Sequence, residues 1–275
     1  MRYKAVFCDL DGTLLNSRHE ISAANKASIQ RIRQKGVPFI ICSGRSYESL
    51  REYEQILSEG FANHSAQQRY ISAFNGGFIV QGDDAQVIHA AQLQKAMVQP
   101  IIKAIRGFAG LDIIAYYDPR CTFVERDTPA TRRYAAVAAL PHHIVEDLLS
   151  ALPDDFPKMM AIGAYEELER MKQAVTPLLG QHINMFNSTE NMVEFTASDA
   201  TKGKALLFLS AKLGIDPSEV IAIGDNQNDI SMLQQAGLPV AVANATEELK
   251  TYAKYITVTN HNESAVAEVL EKFVP

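Results

Sequence analysis

Two aspartates, separated by one residue, follow the first apolar segment of the chain. Asp9 and Asp11 lie in the run Asp9-Leu10-Asp11-Gly12-Thr13, directly after a buried strand predicted over residues 3–8. Side chains two apart in an extended segment point the same way, so we expect these two carboxylates to converge. Two close carboxylates repel each other unless a cation lies between them, and Mg²⁺ prefers such oxygen ligands. A capped turn explains a lone Asp-x-Asp, but the longer run favours a metal site.

A hydroxyl, a glycine and a cation follow the second apolar segment. Residues 37–42 predict another buried strand, and Ser43-Gly44-Arg45 comes directly after it. Ser43 can donate a hydrogen bond to an anion, and Gly44 lets the backbone N–H approach that anion closely. On its own, this motif is more typical of a turn.

A lysine stands at the predicted start of a helix near the end of the chain. Lys202 belongs to Thr201-Lys202-Gly203-Lys204, and a cation in the first helical turn opposes the helix dipole. A bound anion would explain the position, because the dipole and the ammonium both attract it. An exposed lysine at a frayed helix end explains it equally well, and Lys204 is the local competitor.

A glycine and several acidic or amide residues follow a later predicted strand. Asp225 ends that strand in the run Gly224-Asp225-Asn226-Gln227-Asn228-Asp229, where it can complete a metal site with Asp9 and Asp11. Asn228 and Asp229 either bind phosphate or orient Lys202. Asp and Asn also favour helix caps, so this motif alone does not indicate a metal site. The order of all four motifs favours that interpretation.

The elements around these motifs predict an α/β fold. Apolar segments typical of buried strands alternate with segments of helical period at both ends of the chain. The predicted strands span 3–8, 37–42, 220–223 and 239–243, and the predicted helices 22–35, 47–58, 202–213, 229–236, 247–253 and 264–273. This alternation indicates a Rossmann-like parallel sheet covered on both faces. Ligands bind beyond the carboxyl ends of such strands, where the motifs lie.

The middle of the chain has a different pattern. Segments 111–117 and 122–125 predict one antiparallel pair, and 182–186 and 192–196 predict another. Between them we predict a helix near 143–152 that begins at His142-His143, a strand at 158–163 and a helix at 165–179. We therefore expect a core of residues 1–87 and 197–275 and an inserted α+β cap domain of residues 88–196. Its candidate substrate contacts, all of types common on surfaces, are Tyr116, Tyr117, Arg120, Lys158 and Asn187.

Composition excludes several classes of protein. The 275 residues include 26 Lys+Arg and 32 Asp+Glu, and the resulting net charge of −6 argues against a nucleic-acid partner that needs a broad basic face. No apolar run reaches the ~18 residues of a membrane span, and no secretory signal is expected. Cys8, Cys42 and Cys121 are odd in number and lack metal-like spacing. We expect a cytoplasmic protein, either a monomer or a small homo-oligomer.

The four ordered motifs resemble those of the haloacid dehalogenase superfamily. The resemblance rests on Asp9-Leu10-Asp11-Gly12-Thr13, Ser43-Gly44-Arg45, Lys202-Gly203 and Gly224-Asp225-x-x-Asn228-Asp229. The long insert between the second and third motifs, with Asn75-Gly76-Gly77 before it and Asn244-Ala245 near the end of the chain, resembles the Cof-type phosphatases of that superfamily. The resemblance covers the insert by position and pattern alone.

The resemblance implies a role for each motif residue. Asp9 would be the nucleophile that forms an aspartyl-phosphate, and Asp11 the general acid and then the general base. Mg²⁺ would be bound by the Asp9 carboxylate, the Asp11 backbone carbonyl and Asp225. The phosphoryl oxygens would be held by Leu10, Ser43, Gly44, Lys202 and Asn228, with Asp229 and Thr13 in support. The substrate would be a small phosphorylated metabolite, a sugar phosphate or a phosphorylated cofactor, chosen by the insert.

Two alternative functions remain open from the sequence. A sugar phosphomutase would return the phosphate to a sugar instead of releasing it. A non-catalytic sensor of a phosphorylated metabolite would bind the same compounds without turnover, although binding alone requires no nucleophile at Asp9.

Overall fold

The structure is a computed structural model that describes residues 2–59, 69–82, 85–138 and 140–275. The strands are β1 (Ala5–Cys8), β2 (Phe39–Cys42), β3 (Tyr70–Ala73), β4 (Phe78–Gln81), β5 (Gln86–Ala90), β6 (Leu93–Gln94), β7 (Asp112–Asp118), β8 (Cys121–Val124), β9 (His142–Ile144), β10 (Asp155–Phe156), β11 (Lys158–Ile162), β12 (Ile183–Thr189), β13 (Met192–Ala197), β14 (Val220–Gly224), β15 (Leu238–Ala241) and β16 (Tyr255–Ile256). The helices are α1 (Ala23–Gln34), α2 (Tyr47–Ser58), α3 (Lys95–Ile105), α4 (Pro129–Ala138), α5 (Leu148–Ala151), α6 (Tyr165–Val175), α7 (Lys202–Leu213), α8 (Ile230–Gln235), α9 (Glu247–Lys250) and α10 (Ala265–Phe273).

The chain divides into two compact units. The first contains residues 1–89 and 201–275, and the second contains residues 90–200. None of the helices in the described residues is both long and apolar enough to cross a membrane.

The first unit is built on an eight-stranded sheet with the order β16-β15-β14-β1-β2-β3-β4-β5. In this order, each strand from β16 to β2 is parallel to the next one, and β3 pairs antiparallel with β4. Every residue of β1, β2 and β14 is buried, as expected for central strands of a sheet covered by helices. The predicted α/β fold with a Rossmann-like parallel sheet is therefore confirmed.

The second unit is built on a six-stranded sheet with the order β12-β13-β11-β7-β8-β9. The predicted pairs β7–β8 and β12–β13 are antiparallel, as expected. One face of this sheet, which includes Met159 and Phe195, packs with Ile102 of α3 and Met171 of α6 in a buried apolar core. The strands β6 and β10 form a separate antiparallel pair.

The predicted helix near 143–152 is wrong. His142–Ile144 forms strand β9, which runs parallel to β8, and His142 lies opposite Thr122 rather than at a helix start. Hydrogen bonds from Thr122 N–H to the Pro141 carbonyl and from Val145 N–H to the Val124 carbonyl hold the segment extended. Only the short helix α5 follows, after Asp147 caps it by accepting a hydrogen bond from Ser150 N–H. Pairing with a distant strand thus prevails over local sequence preference.

Candidate active site

The four motifs lie at one edge of the sheet in the first unit. Strand β1 lies between β2 and β14 and is parallel to both, so the three carboxyl ends meet at the same edge. Asp9 follows β1, Ser43 follows β2 and Asp225 follows β14. Helix α7 begins at Lys202, whose ammonium reaches the carboxylate of Asp9. Residues more than 190 positions apart in the sequence are therefore neighbours.

Three aspartates form a carboxylate cluster at this edge. Asp9, Asp225 and Asp229 each place a carboxylate oxygen within 4.8 Å of the others, and Asp9 and Asp229 are buried. Burial, together with the charge of Asp229, raises the pKa of Asp9 well above its ordinary value and raises that of Asp225 in the same direction. Such a group of hard oxygen donors is suited to a divalent cation, whose charge would relieve the repulsion.

Lys202 neutralises part of this cluster. Its Nζ lies 2.5 Å from Oδ1 of Asp9 and 2.5 Å from Oδ1 of Asp229, and the side chain is fully buried. Burial alone would lower the pKa of Lys202, but Asp229 and Asp9 raise it above its ordinary value. An ammonium group has three N–H bonds, and two of them are donated to these carboxylates. The third is available for an anionic ligand.

The position of Lys202 distinguishes it from Lys204. Thr201 caps α7 by accepting a hydrogen bond from Lys204 N–H at 3.2 Å, while the Lys204 side chain itself is exposed. The lysine in the cluster is therefore Lys202. This arrangement explains why a cation occurs at the start of a helix, where the dipole disfavours it.

Asp229 orients other groups in the site. Its Oδ1 accepts from Lys202, and its Oδ2 accepts from the backbone N–H groups of Asp225 and Asn226 at 2.9 and 3.1 Å. Both of its oxygens are thus used within the protein. Asp9 and Asp225 are better placed to offer oxygens to a cation. Of the two roles considered for Asp229 from sequence, the contacts favour orientation of Lys202.

The turn at residues 10–14 is fitted closely to Asp225. Gly12 has φ +74°, and a Cβ atom there would lie 2.5 Å from Oδ2 of Asp225. Thr13 Oγ1 donates a hydrogen bond to the other oxygen, Oδ1 of Asp225, at 3.0 Å. The Gly12 carbonyl accepts from Asn244 Nδ2 at 2.8 Å. Only glycine combines this backbone conformation with the absence of a side chain.

The Asp11 carboxylate does not belong to the carboxylate cluster. It forms a bidentate ion pair with Arg45, whose Nε lies 2.8 Å from Oδ2 and whose second contact, to Oδ1, is 2.5 Å. The expected convergence on Asp9 assumed an extended chain, but the backbone leaves that conformation in the turn that starts at Leu10. The contact with Arg45 was not predicted from sequence, although Arg45 stands in the second motif.

Asn75 joins the second motif to the fourth. Its backbone N–H donates to the Ser43 carbonyl at 2.8 Å, and its Oδ1 accepts from Asn228 Nδ2 at 3.0 Å. Its side-chain amide also lies beside Gly44, where an added Cβ would be 3.2 Å from Nδ2. Asn75 is buried and has φ +56°. From the sequence, Asn75-Gly76-Gly77 contributes only to the family resemblance, and this structural role of Asn75 is not predicted.

Comparisons with known proteins identify the family of this chain. Residues 6–270 match the family model described as haloacid dehalogenase-like hydrolase. A Haemophilus influenzae protein, provisionally named a phosphatase, is 30% identical over the whole length of both chains. The 5-amino-6-(5-phospho-D-ribitylamino)uracil phosphatase YwtE of Bacillus subtilis is 25% identical and covers 98% of each chain. A solved haloacid dehalogenase-like hydrolase from Bacteroides thetaiotaomicron has a TM-score of 0.86 at 29% identity and covers 98% of this chain and 99% of its own. The chain belongs to the haloacid dehalogenase-like hydrolases, as its four motifs predicted.

Proposed function

We propose that this enzyme is a Mg²⁺-dependent phosphatase that hydrolyses small phosphomonoesters through an aspartyl-phosphate at Asp9. The observation that carries the proposal is the position of the Asp9 carboxylate, which contacts the buried ammonium of Lys202 and lies within 4.8 Å of Asp225. The family match and the relatives named as phosphatases support the same enzyme class.

The residues present fit a magnesium ion. The Asp9 carboxylate, Asp225 and the backbone carbonyl of Asp11 would hold it, while the oxygens of Asp229 in the same cluster already accept three hydrogen bonds within the protein. When bound, the ion supplies positive charge beside the transferred phosphoryl group.

The chain's own residues account for the group transfer. Asp9 attacks phosphorus while the bond to the leaving oxygen breaks, and Asp11 gives that oxygen a proton. Asp11 then takes a proton from the water that hydrolyses the aspartyl-phosphate, which returns Asp9 and releases inorganic phosphate. Before the first step, Asp11 must leave its bidentate contact with Arg45.

The phosphoryl oxygens are received by donors from all four motifs. Lys202 offers its third N–H, and Ser43, Asn228 and the backbone N–H groups of Leu10 and Gly44 complete the set. Electrostatic stabilisation of this kind supplies most of the catalysis in phosphoryl transfer. Asn75 fixes the relative position of two of these donors through its contacts with Ser43 and Asn228.

The second unit, residues 90–200, would act as the cap that selects the alcohol part of the substrate. We expect sugar phosphates as the main class and phosphorylated cofactors as the next. The name of the relative YwtE, which refers to a phosphorylated ribityl compound, supports this range. The buried free thiols of Cys8 and Cys42 agree with a reducing cytoplasm.

The test is a hydrolysis screen. Release of inorganic phosphate is measured over sugar phosphates, flavin mononucleotide, pyridoxal phosphate and p-nitrophenyl phosphate, with Mg²⁺ and with EDTA. We expect release with Mg²⁺, none with EDTA and none from Asp9→Asn, while Asp216→Asn, at an exposed aspartate of the same unit, retains full activity.

Each other outcome has a definite meaning. Sustained phosphate release by Asp9→Asn would refute the aspartyl-phosphate mechanism. Transfer of phosphate to a second sugar hydroxyl would indicate a phosphomutase. Binding without turnover across the screen would indicate a sensor.

A further inference from the structure

A loop outside the four motifs contacts the backbone on both sides of the carboxylate cluster. Residues 242–246 follow β15, which is parallel to β14, so this loop reaches the same edge of the sheet. Its Thr246 N–H donates a hydrogen bond to the Asp225 carbonyl at 2.9 Å, and its Asn244 Nδ2 donates to the Gly12 carbonyl at 2.8 Å. We call residues 242–246 the clamp loop, because it holds Gly12 and Asp225 at once.

The two segments that the clamp loop holds lie beyond the ends of their strands. The ladder between β1 and β14 continues as far as the hydrogen bond from Asp9 N–H to the Ile223 carbonyl at 2.9 Å. Past that point, one chain segment turns at Leu10 and the other continues to Asp225. The carboxylates of Asp9 and Asp225 repel each other when no cation lies between them. Contacts from a third element therefore oppose a separation of the two segments.

The peptide group after Gly12 is a point where the turn needs such a contact. Asp11 has φ −78° and ψ 127°, and Gly12 has φ +74° and ψ −1°, values close to those of a type II turn. Glycine has the least restricted backbone, so steric contacts alone do not fix the peptide group that follows it. Along the chain, this peptide group lies between the Asp11 carbonyl and Thr13, whose Oγ1 donates to Oδ1 of Asp225. A hydrogen bond to the Gly12 carbonyl therefore restrains both neighbours.

Asn244 is held in the orientation that this contact requires. Its Oδ1 accepts a hydrogen bond from His261 N–H at 2.9 Å, so the donor end of the amide faces the Gly12 carbonyl. The contact with Gly12 joins residues 232 positions apart, and Asn244 is exposed. An exposed amide can hydrogen-bond to water instead, so the fold gains little from this bond. Its main consequence is the position of the turn.

We propose that the clamp loop sets the spacing of the groups that bind the divalent cation and that Asn244 is its positioning residue. Asn244 acts through the Gly12 carbonyl and is not itself a ligand. The proposal rests on the proposed function in one respect, that the cation is held by Asp9, Asp225 and the Asp11 carbonyl. Loss of the Asn244 side chain then weakens binding of the cation and leaves the fold and the recognition of phosphate unchanged.

Cation binding is measured directly on the intact protein. Mn²⁺ shares the preference of Mg²⁺ for carboxylate and carbonyl oxygens, so it is titrated, the free ion is followed by EPR, and Mg²⁺ serves as the competitor. We expect Asn244→Ala to raise the Kd of both ions about five-fold, the effect of one lost hydrogen bond. An unchanged Kd in Asn244→Ala overturns the proposal, since water then replaces the amide without consequence.

The matched control is Asn262→Ala. Asn262 is also an exposed asparagine, and its Oδ1 accepts a hydrogen bond from Ser17 N–H at 2.8 Å, outside the turn that the clamp loop holds. We expect this variant to bind both ions as the unmodified protein does. Equal weakening of cation binding in the two variants overturns the assignment to Asn244.

Kinetics distinguish positioning of the cation site from a general loss of structure. With p-nitrophenyl phosphate, Asn244→Ala should need about five-fold more Mg²⁺ for half-maximal activity and should reach the unmodified kcat and KM when Mg²⁺ is saturating. A lower kcat that saturating Mg²⁺ does not restore overturns the proposal, since the residue then acts on another step. If Asn244→Ala does not fold, Asn244→Ser, which stays polar at this exposed position but has a shorter side chain, replaces it in these measurements.

The two proposals fail in different ways. Failure of the unmodified protein to bind Mn²⁺, or to release phosphate with Mg²⁺, refutes the proposed function and this proposal with it. If the unmodified protein does both and Asn244→Ala binds the ions equally well, only the role of Asn244 is refuted.

Discussion

Replacing Lys202 with methionine removes the only ammonium that the described structure places within the carboxylate cluster. Methionine has a similar length and is apolar, so the change isolates the charge. Lys202 is fully buried and holds both Asp9 and Asp229 at 2.5 Å. Its loss leaves these two carboxylates and Asp225 within 4.8 Å of one another, without the cation that compensates them.

The magnitude follows from the burial of the pair. Removing one partner of a buried ion pair lowers the free energy of unfolding by about 3–5 kcal/mol. For a domain of this size each kcal/mol lowers the melting temperature by about 2–4 °C, so we expect a decrease of about 6–20 °C. Loss of one donor to the transferred group should also reduce kcat by about 10²–10³-fold.

The matched control is Lys204→Met, two residues along the same helix. Its side chain is exposed, so its effect on stability should stay within about 0.5 kcal/mol. Melting is followed by far-UV circular dichroism, because the protein contains no tryptophan whose fluorescence could report unfolding. Activity is measured as phosphate release with Mg²⁺. Equal losses of stability and activity in the two variants would show that the ammonium in the cluster has been misassigned.

Two further predictions follow from the turn at Gly12 and from a carboxylate near the C-terminus. Gly12→Ala should abolish phosphatase activity, because its Cβ would lie 2.5 Å from Oδ2 of Asp225. Gly36→Ala is the control: Gly36 has a similar φ of +79°, and no atom of the described residues lies within 4 Å of its added Cβ. This variant should lose about 1–2 kcal/mol of stability and remain active. Burial would raise the pKa of Glu268, but hydrogen bonds from Thr259 and Tyr255 lower it to about 2. The carboxylate therefore stabilises the fold above pH ~4.5, and this contribution disappears as the pH falls toward 2. Glu268→Gln should lower stability by about 1–2 kcal/mol at pH 7, after allowance for solvent screening, and by less at pH 3.

For each of these two predictions, one result would contradict the reasoning. Full activity in Gly12→Ala would mean that the turn tolerates a side chain against Asp225. Urea midpoints of the unmodified protein and Glu268→Gln that differ equally at pH 7 and pH 3 would mean that the carboxylate is not held in its ionised form.

Elements with strong local signals could be predicted from the sequence. Helix α7 begins and ends where predicted, because Thr201 caps its start and Gly214, with φ +66°, ends it. The central strands β1 and β2 are apolar throughout and were located to within two residues. Strand β9 was mistaken for a helix, since its conformation depends on pairing with β8, which no local signal encodes. The sequence does not predict helix α3, which contains Pro100.

In the candidate active site, too, some residues could be predicted from the sequence and others could not. Motif spacing identified Asp9, Asp225 and Lys202, and the fold brings these three together. The partners that orient the motif residues could not be found in this way. Arg45 reaches Asp11 only because a turn redirects that carboxylate, and Asn75 reaches Asn228 across 153 residues of sequence. Such contacts depend on tertiary geometry, which motif spacing does not encode.

The pairing of β1 with β14 has a consequence for how the chain is made. Strand β1, which directly precedes Asp9, is synthesised more than 200 residues before its central partner β14. At typical rates of translation, about 5–20 residues per second, that interval lasts roughly 10–40 s. During this interval, one backbone edge of the apolar strand β1 has no partner strand, and such an unpaired edge can pair with other chains. The strands of the second unit lie within one continuous stretch of sequence, so their synthesis is not separated by such an interval. We therefore expect this unit of a nascent chain to become protease-resistant first.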